Sequence, residues 1–191
     1  MENLFPILLG TIIINNLALT KMVSIGQLAN FGDNEDQTLV IGLSAAVIMA
    51  ISSVLSYVAF TFILEPLSVT VLNLLVYVLI VVLVTMAVTG FIRSKKPEMH
   101  EAIGKVLPLL AVNSAILYLI LDVMNQGMDF LPMLITSIGA PIGLLFAFVL
   151  YGAVRERLAV SDTPKPFRGL PILLVYAALA IMALSGLNGI I

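Results

Sequence analysis

Six stretches of this chain are almost wholly apolar: residues 4–25, 39–64, 69–92, 106–123, 131–154 and 170–191. A helix rises about 1.5 Å per residue, so roughly 20 residues cross the hydrocarbon of a bilayer, about 30 Å thick. All six runs fall in that range of length. The segments between them, "FGDNEDQ", "EPLS", "RSKKPEMHEAIGK", "NQGMDF" and "RERLAVSDTPKPFRG", hold most of the charge and the turn signals. None is long enough for a soluble domain. With 61% of its residues hydrophobic and 10% charged, the chain could not cover a soluble surface of this size. The predicted fold is all-α and integral to the lipid bilayer: one membrane domain over residues 1–191, with six transmembrane helices and no linker. The N-terminus shows no basic region followed by a cleavage site, so the first run is read as a retained span.

Lysine and arginine set the orientation. Numbered by alternation, the first, third and fifth connections share one side. All nine basic residues, from Lys21 to Arg168, fall there. That side is expected to be cytoplasmic, in a cell inner (plasma) membrane, with both termini outside. Asp33, Glu35 and Asp36 in the first connection do not overturn this, because acids weigh little in the rule. A net charge of -2 and the lack of a polybasic tail exclude a nucleic-acid partner. No cysteine is present, so the chain supplies neither a disulfide nor a thiolate metal ligand.

Within the first run, "IIINNLALTK" places Asn15 and Asn16 where hydrocarbon is expected. The fourth run repeats the feature in "LLAVNSAILYLI", where Asn113-Ser114 aligns with Asn15-Asn16. One copy opens the first trio of helices and the other opens the second. Three helices per trio make the copies enter the membrane from opposite sides, which is the pattern of an inverted 3+3 repeat. The expected division is repeat one at residues 1–93 and repeat two at 105–191. A buried amide without partners costs several kcal/mol, roughly 2–7 on transfer scales. Two such helices could meet at the bundle centre with their backbones interrupted there, because the freed groups would face protein. Gly26 follows the first site and Pro108 precedes the second, so the first and fourth helices are expected to be broken. The alternative is that Asn15, Asn16 and Asn113 only join helices by hydrogen bonds.

Other polar positions read more simply. Lys21 can snorkel to an interface, Asp122 ends the fourth run at an interface, and Glu65 lies in an outer turn. His100 lies in a charged loop, which does not suggest a metal. "SIGAPIG", with Gly139, Pro141 and Gly143, is expected to be a close-packed point in the fifth helix. No phosphate loop, catalytic triad or paired intramembrane carboxylates are present.

The loop "VRERLAVSDTPKPFRG" (154–169) resembles the signature loop of the RnfA/NqrE family of membrane subunits. The likeness continues at "INNLALTK" (14–21), "LPLLAVNSAIL" (107–117) and "LSGL" (184–187), and covers essentially the whole chain. It implies a six-helix subunit of an Rnf- or Nqr-type complex. Such complexes pass electrons between ferredoxin or NADH and an acceptor while moving Na+ or H+. It also implies an RnfE/NqrD-type sister subunit, further flavin-carrying and iron-sulfur subunits, and a [2Fe-2S] cluster held mid-membrane by two cysteines from each sister. Here Gly26 and Ser114 stand at the two family cysteine positions, and neither is a normal iron ligand. Thr89, in "VTMAVTGF", stands where relatives carry an acid. Asn15, Asn16 and Asn113 would line the central site. Arg155, Glu156, Arg157 and Arg168 would hold the cytoplasmic loop or a partner.

The function expected on this reading is that of a membrane subunit in an electron-transport complex, forming a central electron and ion path with its sister. The alternative is a paralogue without redox work, acting as a cation transporter or as a structural anchor.

Overall fold

The structure, a computed structural model, describes residues 8, 10–14, 16, 17, 21, 35–95, 97–104 and 106–186. These residues contain helices and turns, and no strand occurs among them. The long helices are α1 (Glu35–Ala59), α2 (Asn73–Lys95), α4 (Ser114–Asn125), α5 (Phe130–Ala159) and α6 (Leu170–Ser185), with a short α3 (Pro97–Ile103). A π-helical turn (Phe60–Leu64) extends α1, and a 3-10 turn (Thr70–Leu72) leads into α2. A 3-10 segment (Leu107–Val112) precedes α4, and another (Lys165–Phe167) precedes α6. Together these make four spans long and apolar enough to cross a membrane: Thr38–Leu64, Thr70–Lys95, Leu107–Asn125 and Phe130–Leu158. Pro171–Ala183 is a shorter apolar helix within the last run. The chain is a multi-pass, all-helical membrane protein. Most of the first run lies outside the described residues.

Local sequence accounts for the boundaries. Pro97 opens α3, where its missing N–H is harmless, and Glu98 sits in the first turn, where a helix favours an acid. The segment around His100 is therefore helical, where the sequence suggested a loop. The turn after α4 passes through Gly127 at φ 57°, a left-handed conformation that a side chain would oppose.

α1 and α5 form the most extensive helix pair and carry the centre of the core. Ile41, Ala45, Ile48 and Met49 of α1 are buried with Ala140, Leu144, Ala147 and Phe148 of α5. Two devices suited to lipid hold the pair. Gly42 lets Phe148 approach, its absent methyl falling 3.1 Å from the Phe148 Cβ. Ser53 Oγ lies 2.7 Å from Ser137 Oγ, a hydroxyl bond between fully buried residues. Hydrocarbon tails are as apolar as leucine, so close packing and interhelical bonds, more than hydrophobicity, bring such helices together.

The outer elements attach crosswise. The π-helical turn Gly10–Ile14, early in the chain, packs on α5 and more lightly on α6. The 3-10 segment and α4 pack on α1 and α2. α2 keeps much of its surface outward: Leu74, Leu75, Leu79, Leu83 and Met86 are exposed. That surface is suited to lipid or to another membrane chain.

Candidate functional site

Two asparagines, Asn16 and Asn113, stand outside regular helix, each beside a helical segment. The π-helical turn ends at Ile14, and Asn16 has left helical geometry. In the second half, Asn113 separates the 3-10 segment from α4 in an extended conformation, φ -70° and ψ 117°. Asn16 is 1% exposed and Asn113 2%. Each amide is thus inside protein, where the polar groups freed by a break can find partners.

The two side chains do different work. Asn16 Nδ2 donates to the Gly143 carbonyl at 2.6 Å and to the Ile12 carbonyl at 3.0 Å. It clamps the first run onto α5. Asn113 Oδ1 accepts from the Ala115 N–H at 2.8 Å, which caps the first turn of α4. The Asn113 N–H donates to the Leu110 carbonyl at 3.1 Å and closes the 3-10 segment behind it. Their neighbours Leu17, Leu110 and Ala115 belong to one continuous buried core.

Gly143 makes the first clamp possible. A methyl there would lie 2.8 Å from the Ile12 carbonyl oxygen and 3.2 Å from Asn16 Nδ2. One turn earlier, a methyl on Gly139 would sit 3.3 Å from Leu8 Cδ1 and 3.4 Å from Thr11 Cβ. Glycines at a spacing of four therefore give α5 a shallow seat for the first run. Pro141 lies between them inside the helix.

Asn15 and Gly26 lie outside the described residues. Ser114 is exposed at the start of α4, beside the buried Asn113. Arg157 and Glu156 are exposed at the end of α5, and Arg155 is half-buried. Arg168 Nε donates to the Thr163 carbonyl at 2.8 Å, so this side chain folds its own loop. Ser161 supports the same loop through the Leu158 carbonyl and the Thr163 hydroxyl. Among the described residues no group of three or more His, Asp or Glu side chains is placed to hold a metal ion.

Sequence reasoning passed over the interior hydroxyls. Ser52, Ser53 and Ser56 of α1, with Ser137 of α5 and Tyr77 of α2, are fully buried. Ser53 and Ser137 pair, whereas Ser52 Oγ, Ser56 Oγ and Tyr77 Oη meet no partner among the described residues. The serine pattern "AISSVLSY" was the available signal, since polar residues of a membrane helix turn inward.

The family model described as "Rnf-Nqr subunit, membrane protein" matches residues 4–191. The A subunit of the ion-translocating oxidoreductase complex of Photorhabdus laumondii subsp. laumondii is 33% identical over 191 residues, 100% of this chain and 99% of that protein. The corresponding protein of Serratia proteamaculans is 32% identical over the same shares, and that of Vibrio atlanticus 29% over 100% of both.

Proposed function

This chain belongs to the Rnf-Nqr family of membrane subunits, and from that premise we propose that it is the A-type subunit of an ion-translocating oxidoreductase complex. In this reading the complex couples oxidation of ferredoxin or NADH to movement of Na+ or H+. The observation that carries it is the pair of buried asparagines, one past the Gly10–Ile14 turn and one between the 3-10 segment and α4, in a chain similar to such A-type proteins from end to end. Interrupted membrane helices expose backbone groups inside protein, where an ion or a redox partner can use them. The same reading takes residues 1–93 and 105–191 as inverted repeats. The attachment of the Gly10–Ile14 turn chiefly to α5, and of α4 chiefly to α1, supports that division. On the same reading the basic loops lie in the cytoplasm, both termini outside and the chain in the inner (plasma) membrane. The exposed position of Ser114 supports an RnfE/NqrD-type sister subunit on that face, with flavin and iron-sulfur subunits completing the assembly.

The residues of this chain do not fit a [2Fe-2S] cluster. Its stable ligands are thiolates, or imidazoles in some centres. Here the two matching positions offer a neutral serine hydroxyl and a glycine. No step is therefore assigned to a cluster on this chain. If one lies at the centre of the complex, the partner chains hold it.

That donor set also favours a second reading, in which the chain carries ions or anchors the assembly without electron transfer. One experiment separates the two. In inverted membrane vesicles from cells lacking this chain, NADH- or ferredoxin-dependent electron transfer and the coupled ion uptake are measured together. Loss of both, restored by the gene in trans, is the expected result. Intact electron transfer with lost ion uptake selects the second reading, and both intact overturns the proposal.

A further inference from the structure

The last turns of α2 form one wall of a cleft of about 510 Å³. The wall runs from Val82 to Arg93, and the facing wall runs from His100 on α3 to Ala111 in the 3-10 segment. The two ends of the cleft differ. Val82 and Met86 make the inner end apolar. At the outer end stand Arg93, the Thr89 hydroxyl and the His100 imidazole. Thr89 Oγ1 and His100 Nδ1 are buried atoms with no hydrogen-bond partner among the described residues. Gly104 leaves room for the ring: a methyl there would strike the His100 carbonyl and lie 3.1 Å from ring Cε1.

Charge and length narrow the occupant. No lining residue is acidic, and Glu98 and Glu101 of α3 are exposed outside the walls. Lys95 adds a second exposed cation at the same end. From Val82 to Arg93 the helix climbs about 16 Å, against about 15 Å for one hydrocarbon leaflet. A small inorganic anion would leave the apolar length empty. A neutral amphiphile would leave the arginine without a counter-charge.

We propose that this cleft seats one anionic phospholipid from the leaflet on the basic side. Its phosphate meets Arg93, His100 and Thr89, and one acyl chain lies along α2 toward Val82. Basic recesses between membrane helices are suited to anionic headgroups, and burial of each methylene adds to the attraction. The assignment rests on shape and charge and does not depend on the electron-transfer reading.

The test uses the whole complex in nanodiscs of phosphatidylglycerol and phosphatidylcholine. Lipid released with this chain is counted by native mass spectrometry. Phosphatidylglycerol should be retained over phosphatidylcholine, and Arg93→Gln should lower its retention about fivefold. Gly90→Leu is the second variant. Gly90 lines the cleft, and an added Cβ there meets nothing within 4 Å, so the side chain grows into the recess and not into protein. It should expel the lipid with Arg93 intact and with an unchanged circular-dichroism melt. Competition by short-chain phosphatidylglycerol but not by inorganic phosphate supports the lipid. Equal displacement by phosphate makes this a free-anion site and overturns the assignment. Equal retention of both lipids, indifference to both variants, or absence of any retained lipid because a partner chain fills the recess overturns it too.

Discussion

Asn16 and Asn113 are both buried amides beside helical segments, and they solve different problems. Asn16 reaches out of its own segment and grips the Gly143 carbonyl of α5. Asn113 turns inward on its own chain and caps α4. One amide makes a tertiary bond and the other makes a capping bond to its own helix. The lesson is that two buried amides, each beside a helical segment, need not do the same work. A fastener's energy depends on the shape of its receiver, whereas a cap's depends on the turn that follows it.

This contrast can be broken at the receiver first. Gly143→Val puts branched carbon where a single methyl already lies 2.8 Å from the Ile12 carbonyl oxygen. We expect a loss of about 3 kcal/mol or more, at the upper end of overpacking effects. Thermal unfolding in detergent followed by circular dichroism reads it, since the chain has no tryptophan to report by fluorescence. Asn16→Leu removes two bonds and should cost about 1–2 kcal/mol, the upper range for polar contacts between membrane helices. A double-mutant cycle with Gly143→Ala should show coupling of about 0.5 kcal/mol or more, because both changes act on one contact. Additive losses would remove the fastener from the account. Asn113→Ala should cost about 1 kcal/mol, and Asn113→Asp or Asn113→Ser should restore most of it, as expected of a cap. Failure of that rescue would show that the residue acts beyond its own helix.

The smallest effects concern neighbouring serines. Ser53→Ala breaks the bond to Ser137 and should cost about 0.6 kcal/mol. Ser52→Ala removes a buried hydroxyl that meets no partner among the described residues, and it should be neutral or slightly stabilising. Equal losses at both positions would mean that volume and not hydrogen bonding sets the α1–α5 interface.

The membrane class was legible because hydrocarbon imposes a length and a composition that few other folds share. The break before α4 was legible because asparagine inside an apolar run has no cheap place to go. The glycine spacing in "SIGAPIG" announced a close approach, and the structure supplies what approaches: the first run, at Gly139 and Gly143. What could not be read was pairing across the chain. Nothing near Asn16 specifies Gly143, and nothing near Ser53 specifies Ser137, because such partners are set by how helices cross. The helical turn at His100 was hidden by its charges, although Pro97 and Glu98 carry an ordinary helix-start signal. Arg168 was equally opaque, since its partner is a backbone carbonyl five residues away and leaves no trace in side-chain pattern.

The bond from Asn16 to Gly143 spans 127 positions of sequence. At roughly 5–20 residues per second of synthesis, the ribosome makes the receiving glycine about 6–25 seconds after the amide that needs it. During that interval the opening segment must shelter its polar group elsewhere, with water, lipid headgroups or the insertion machinery as temporary hosts. Synthesis of this protein therefore makes the amide well before its receiver, and the bond between them locks late.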